Sequence, residues 1–350
     1  MQSLAFPTRL IPSVRIGQPA LVLAPMEGVT DAPMRALMTE VGGFSFCVSE
    51  FLRISQDVPP ARVYYDHVPE LRTDCQTAGG LPVQFQLLGG NAERLARAAH
   101  LACRLGARGI DLNFGCPAPT VNRHDGGASL LKFPDRIREI VAAVRQAVPT
   151  ELPVSAKLRL GWDSLDPIHE NAERAAEGGA SWITIHGRTK VQGYQPPAYW
   201  QPIGEVRARL GIPVIANGDI WTLDDFKRCR DETGSQHYML GRGAMADPAL
   251  PRAIARELGI AVPESRIPPP SEAIIQAREW LPYIRRFAEI SLPYCEKEGY
   301  VVRRIKQWGG FARTRKRAPW FEDLKRAEKL TEIFAVLDNP GAAVTSAPQD

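Results

Sequence analysis

The chain has no apolar run long enough to cross a bilayer, no CxxC pair, and no cysteines or histidines at metal-ligand spacing. The first absence argues against a membrane protein. The others leave six scattered cysteines, at 47, 75, 103, 116, 229 and 295, which suit reduced thiols in a cytoplasmic protein better than a disulfide framework or a zinc site. Pro7, Pro12 and Pro19 interrupt the first twenty residues, so no secretory core forms, and residues 1–20 read as a loose extension. No GxGxxG follows the first strand-like run, which counts against an open, doubly wound sheet. Charge of one sign is also in small excess, +4 over 350 residues, but it is not spread evenly. Between Glu264 and Asp338 fifteen Lys/Arg stand against eleven Asp/Glu. Within that segment, Gly299 to Trp320 has seven cations and no acid, interleaved with Tyr300, Trp308, Phe311 and Trp320. Most charge runs are solvated helix faces; aromatic interleaving favours a surface for a polyanion.

What is present is ordinary globular composition, 44% hydrophobic and 23% charged, in a chain long enough for one large domain and a smaller one. From residue 21 to 245 short β-rich runs alternate with helical patterns. The runs are Leu21–Ala24, Ser45–Val48, Val83–Leu87, Gly109–Asn113, Val154–Leu158, Trp182–His186, Val214–Asn217 and Tyr238–Leu240. Helix-like stretches between them include Ala92–Leu105, Pro134–Val148, Ala172–Gly178 and Leu223–Arg230. Several strands are continuously apolar, as strands covered on both faces are. Eight such βα units predict an α/β fold, a (β/α)8 TIM barrel, over 21–262. Residues 263–270 form a proline-rich linker. A small all-α helical bundle follows over 271–338, with helices starting at Ser271-Glu272 and spanning Val301–Ala312 and Phe321–Leu337. The Ala/Pro/Ser-rich tail, 339–350, reads as disordered.

Chemistry in such a barrel collects at the C-terminal strand ends, and nearly every end here carries polar or special-backbone residues. Asn217-Gly218-Asp219 and Gly241-Arg242-Gly243 follow strands seven and eight, where glycines admit a phosphate and Arg242 supplies charge. Lys157 and His186 end strands five and six and suit the electron-accepting edge of a flavin. Gln86 suits a ring imide, and Pro25-Met26 an apolar bed. Together these describe FMN better than a sugar phosphate. Each has a plainer reading as a turn glycine, a paired lysine or a core histidine. Cys116 stands between Gly115 and Pro117 just past strand four, a thiol on a stiff turn. It can act as an acid, as a nucleophile, or be inert; no nearby His–Asp pattern supports the protease-like option.

The stretches APMEGVTDAPMR (24–35), QLLG (86–89), DLNFGCPAPTVNRHDGGASLL (111–131), KLRLGWD (157–163), HGRTKVQGY (186–194), ANGDI (216–220) and GRGAMADP (241–248) resemble the tRNA-dihydrouridine synthases. HGRTKVQGY and Arg304-Ile305-Lys306-Gln307-Trp308 resemble the bacterial C-type subfamily, which acts on D-loop uridine 16. The resemblance implies an FMN-dependent reduction of uridine to 5,6-dihydrouridine in tRNA, with NADPH (or NADH) as electron donor. It implies Cys116 as proton donor. Pro25, Met26, Glu27, Gln86, Lys157, His186, Asn217, Gly218, Asp219, Gly241 and Arg242 become FMN contacts. Asn113 would face the substrate uridine, and Arg53, Tyr194, Arg304 and Lys306 would touch tRNA. No metal, membrane or obligatory protein partner is implied, and a monomer is expected. Phe114, where a smaller residue is usual, and Gly309-Gly310 depart from the pattern. Two other readings compete: an FMN barrel oxidoreductase acting on a free pyrimidine, and a tRNA-binding protein without catalysis.

Overall fold

The computed structural model describes residues 11–339 apart from 124, 266, 268–276, 296, 316 and 317. All eight expected strands form: β1 (Ala20–Leu23), β2 (Phe46–Arg53), β3 (Val83–Leu88), β4 (Ile110–Asn113), β5 (Val154–Arg159), β6 (Ile183–His186), β7 (Val214–Asn217) and β8 (His237–Leu240). They pair in parallel in chain order, and β8 closes onto β1 through Ala20↔His237 to Leu23↔Leu240. Between β1 and β8 the crossover helices are α1 (Ala32–Val41), α2 (Ala61–His67), α3 (Ala92–Arg104), the short α4 (Pro119–Asn122), α5 (Pro134–Ala147), α6 (Pro167–Glu177), α7 (Gln201–Arg209) and α8 (Leu223–Thr233). After β8 come α9 (Arg242–Ala246) and α10 (Leu250–Glu257). Side-chain oxygens start several of these helices. Asp31 accepts from Met34 N, Asn91 from Arg94 N and Thr222 from Asp225 N, each meeting a first-turn amide that has no helical partner.

Strand alternation sorts the residues into two layers. Leu21 and Leu23 join the main core beneath the helices, while Val22 and Ala24 join a separate apolar cluster with Phe46, Val48, Trp182, Ile215 and Met239. That second cluster fills the barrel. Val14 belongs to it, and Gly17 N donates to Gln236 Oε1 at 2.8 Å. Within the described part of the N-terminal stretch Pro12 and Val14 are buried while Arg15 to Pro19 are exposed, so that part is pinned to the barrel at one valine. From β3 to β7 the same inward alternation turns polar: Gln84 and Gln86, Asp111 and Asn113, Ser155 and Lys157, Thr184 and His186, then Asn217. Their outward neighbours, such as Phe85, Leu112, Ala156 and Ile185, stay in the main core.

The C-terminal helices are α11 (Ala277–Ser291), α12 (Glu298–Thr314), α13 (Phe321–Leu324) and α14 (Leu330–Asp338). Trp280 is their hub, with ring centroids 5.4 Å from Trp308 and 5.6 Å from Trp320, both tilted edge to face. The expected single helix Phe321–Leu337 is broken. Buried Ala327 and Leu330 turn the chain inward between α13 and α14, and Glu298 at the start of α12 accepts from Leu330 N at 2.6 Å, capping the second piece. Helix α12 runs unbroken through Gly309-Gly310. A side chain at 309 would stand 3.0 Å from the Phe321 ring, so a glycine lets α13 close on it. The expected helix start at Ser271-Glu272, Pro268 to Pro270 and the tail from 340 lie outside the described residues. Upstream in the linker, Ile267 is buried and Pro263 O accepts from Arg252 at 3.0 Å, so that stretch rests on the barrel. No helix among the described residues is long and apolar enough to cross a membrane, and none of those residues forms a metal-binding group.

Candidate active site

A cavity of about 460 Å³ opens at the C-terminal ends of the strands, within the usual range of roughly 300–1,000 Å³ for cofactor sites. Cys116 lines one side. Its turn is held at every backbone polar group of residues 115 and 116. Asn113 Oδ1 accepts from Gly115 N (3.0 Å) and Cys116 N (2.9 Å). Arg159 Nε donates to Gly115 O (2.8 Å), while Asn122 Nδ2 (3.2 Å) and Ala128 N (3.1 Å) donate to Cys116 O. Burial pushes the thiol up from its ordinary value; the Ala118 amide and the charges of Arg159 and Arg53 oppose this. A half-buried thiol with its pKa raised in this way stays protonated at neutral pH. Gly127, at φ 61°, lies behind the turn, where an added Cβ would meet Val121 and Cys116 O within 2.9 Å. The paired glycines there serve close packing.

Cations line the same cavity. Lys157 Nζ donates to Asn217 Oδ1 at 3.2 Å, and Asn217 Nδ2 donates to Met239 O at 2.8 Å, which turns the amide oxygen toward the lysine. Burial and the nearby Arg159 push the Lys157 ammonium down to about 8. His186 is buried among Arg159, Lys157, Arg188 and Arg242, and its pKa falls well below 6.5, so the ring is neutral. Its Nδ1 has no hydrogen-bond partner among the described residues. Asp219, in left-handed backbone at φ 53°, accepts from Trp221 Nε1 (3.1 Å), from Arg188 and, at 3.5 Å, from Arg242. Arg242 also lies over the rings of Tyr194 (4.8 Å) and Trp221 (5.0 Å). At Gly241 a Cβ would come within 3.1 Å of Met26 Sδ, so the backbone packs directly on the thioether.

Pro25, Met26, Glu27, Asn113, Cys116, Lys157, His186, Tyr194, Asn217, Gly218, Asp219, Gly241 and Arg242 all line this one cavity. Gln86 does not. Its carboxamide is fully buried below the floor, where Nε2 donates to Asp111 Oδ2 (2.6 Å) and Oε1 accepts from Asn113 Nδ2 (2.9 Å). The residue stands outside the cavity lining, with one bond from each end of its carboxamide made inside the barrel. Arg304 also stands outside the lining. It is 6% exposed, donating to Gly28 O (2.7 Å) and Val29 O (2.6 Å) and pairing with Asp31 (3.0 Å). It ties α12 to the β1 loop instead of facing tRNA. Arg53 lies on the rim, donating to Thr120 O at 3.2 Å, and Lys306 is half-buried on α12.

The site also holds residues that sequence patterns leave unassigned. Glu50 lines the cavity and accepts from Gly28 N at 2.5 Å; burial, then Glu27 and Asp31, push its carboxyl up to about 7. It sits within the Val48/Phe51 register shift of β2, near the strand's C-terminal end. Trp221 and Arg159 also follow strand ends and could be found on that ground. Phe311 reaches the cavity from α12, and Arg315 stacks 4.0 Å over Trp221. Nothing local marks which face of α12 covers the mouth.

An apolar bed at Met26, close-packed glycine backbone, lining cations and an unpartnered buried imidazole nitrogen suit an aromatic, phosphate-bearing cofactor. A family model described as dihydrouridine synthase matches residues 22–338. A tRNA-dihydrouridine(16) synthase of Pseudomonas syringae pv. tomato is 42% identical over 291 residues, 82% of this chain and 88% of that one. One from Ralstonia nicotianae is 41% identical over 327 residues, 93% and 97% of the two chains. Among solved structures, histamine dehydrogenase from Rhizobium sp. 4-9 matches with a TM-score of 0.54 at 16% identity, covering 80% of this chain and 51% of that one. At that identity the likeness shows the barrel fold alone.

Proposed function

The chain belongs to the dihydrouridine synthase family, and from that premise we propose that it reduces uridine 16 in the D loop of tRNA to 5,6-dihydrouridine. The observation that carries the reading is Cys116, held protonated on a fully braced turn in one cavity with Lys157 and His186. The residues lining that cavity would hold FMN, which when bound and reduced by NADPH would supply the hydride for C6 of the uracil. Met26 and Pro25 bed the ring, and Glu27 lies beside them. Lys157 and neutral His186 address its edge, and Asn217 aims the lysine. Gly218, Asp219, Gly241 and Arg242 form the phosphate end.

The target base leaves its stack to enter the mouth, at a lower cost in a loop than in a duplex. Cys116 gives its proton to C5, so hydride and proton together add the two hydrogens of the product. The thiolate is then reprotonated from water. Residues 21–262 form the catalytic barrel, 263–270 a linker and 271–338 the RNA-binding bundle, in a cytoplasmic monomer. Tyr194, Arg53 and Lys306 meet the RNA near the mouth.

Cys116→Ala tests this reading: it should keep FMN and NADPH oxidation yet form almost no dihydrouridine on unmodified tRNA. Normal product from that variant rejects the acid role. Dihydrouridine mapping in tRNA from cells with and without the protein tests the position; loss at a D-loop site other than 16 moves the target and leaves the chemistry.

A further inference from the structure

Three adjacent strands place Gln86, Asp111 and Ser155 side by side in register, Gln86↔Asp111 and Asp111↔Ser155, with Asn113 one inward step above. Gln84, Gln86, Asp111 and Ser155 are no more than 2% exposed. Their hydrogen bonds run in one direction. Gln84 Nε2 donates to Ser155 Oγ (2.9 Å), and Ser155 Oγ donates to Asp111 Oδ1 (2.5 Å). Gln86 Nε2 donates to Asp111 Oδ2 (2.6 Å), Asn113 Nδ2 donates to Gln86 Oε1 (2.9 Å), and Asn113 Oδ1 takes the amides of Gly115 and Cys116.

Each of the two carboxamides could face either way, and Gln86 with Asn113 alone would bond equally well reversed. Reversal would turn the Asn113 NH2 toward two backbone N–H groups and leave the turn without its acceptor. An ionised carboxylate only accepts, so Asp111 forces the Gln86 NH2 downward and its oxygen upward, and Asn113 follows. Burial raises the Asp111 carboxyl to about 6, against the bonds from Ser155 and Gln86, so it is largely ionised at neutral pH.

We propose that Asp111 is a positioning residue for the proton donor: through Gln86 and Asn113 it fixes amide polarity and thereby holds the Cys116 turn. The inference rests on Cys116 being the acid. In Asp111→Asn the new amide cannot satisfy both neighbours. If its oxygen meets Gln86, its NH2 faces a Ser155 hydroxyl already accepting from Gln84, and the hydroxyl proton is stranded. If it turns over, NH2 opposes NH2 at Gln86. The double variant Gln86→Glu with Asp111→Asn restores the direction, because the new amide at position 111 donates to the carboxylate at 86, and that carboxylate still accepts from Asn113.

Two readouts on full-length protein test this. In stopped-flow experiments with holoenzyme, Asp111→Asn should slow the tRNA half-reaction about tenfold or more, the scale at which a displaced reacting group acts. The NADPH half-reaction should change far less, by no more than the loss of one charge near Lys157 gives, and the double variant should recover most of the loss. Amide hydrogen exchange should find Gly115 and Cys116 protected in the unmodified protein and in the double variant, and exposed in Asp111→Asn. Free exchange of those amides in the unmodified protein overturns the proposal, and that measurement stands even if a variant fails to fold. So does a tRNA half-reaction of unchanged rate in Asp111→Asn, or a folded double variant no better than the single. Failure of the acid role itself shows separately, as product from Cys116→Ala.

Discussion

Lys157 brings an ammonium into the barrel mouth against burial and the charge of Arg159, with only Asn217 and distant Asp111 on its side. Its folded pKa of about 8 lies below the ordinary 10.5, so housing the charged form costs stability below pH 8, and that cost fades as pH rises toward 10.5. Carbonyl and ring-nitrogen acceptors on a bound flavin edge would favour the charged ammonium, so binding above pH 8 would take up a proton. FMN affinity of the apoprotein should therefore weaken by about tenfold between pH 8 and 9.5, and Lys157→Met should flatten that profile. Titration of FMN fluorescence at several pH values measures it; a flat profile in the unmodified protein rejects it. Glu50 has the opposite sign. Its carboxyl, pushed from 4.5 to about 7, binds a proton more readily in the folded state, so stability falls as pH rises through that window. Glu50→Gln keeps an acceptor for Gly28 N, and should raise the melting temperature at pH 8 while matching the unmodified protein near pH 4.5. An equal shift at both pH values would show that charge is not the cause. At this scale Cys116 is legible in the sequence because a glycine and a proline announce its turn. Gln86 is not, because strand period shows that a residue points inward but not which buried partner takes its amide.

Elements follow from pattern wherever a local signal has one physical solution. All eight strands form because β-rich runs with punctuated ends can satisfy their backbones only beside one another. Continuity of α12 and the break between α13 and α14 are harder to read, since both depend on contacts from elsewhere. Gly309 and Gly310 look alike in sequence, but the structure separates them. Each would gain about 1 kcal/mol of helix propensity as alanine. At 309 the new methyl carbon meets the Phe321 ring at 3.0 Å, an overpacking that typically costs about 1–3 kcal/mol. At 310 it meets the same ring at 4.0 Å, ordinary contact. Gly309→Ala should lower the melting temperature and Gly310→Ala should raise it. Calorimetry on the two variants decides, and the same sign for both would mean that α13 does not close on α12 as described.

Across the whole molecule, the described cations of 299–320 include two contrasting kinds. Arg304 is consumed inside, joining α12 to the β1 loop that carries Met26 and Glu27, and Trp308 Nε1 adds a bond to Met245 O at 2.9 Å. Arg286 reinforces the join from α11 with two 2.7 Å bonds to Glu40 on α1. Arg303, by contrast, is exposed on α12, lying 5.9 Å over the Tyr300 ring with no carboxylate paired to it among the described residues. Only the exposed kind can neutralise phosphate and release counterions. Arg303→Ala should therefore flatten the dependence of log tRNA affinity on log salt by about 0.7, the share of one phosphate contact. Arg304→Ala should leave that slope alone, because its charge meets Asp31 and two carbonyls rather than RNA. It should instead strand those buried acceptors at about 1–3 kcal/mol apiece, lowering the melting temperature and weakening tRNA binding by a similar factor at every salt concentration. Fluorescence anisotropy across a salt series, paired with thermal melts, separates the two. If Arg304→Ala flattens the slope and leaves the melt unchanged, Arg304 meets RNA and does not join the bundle to the barrel.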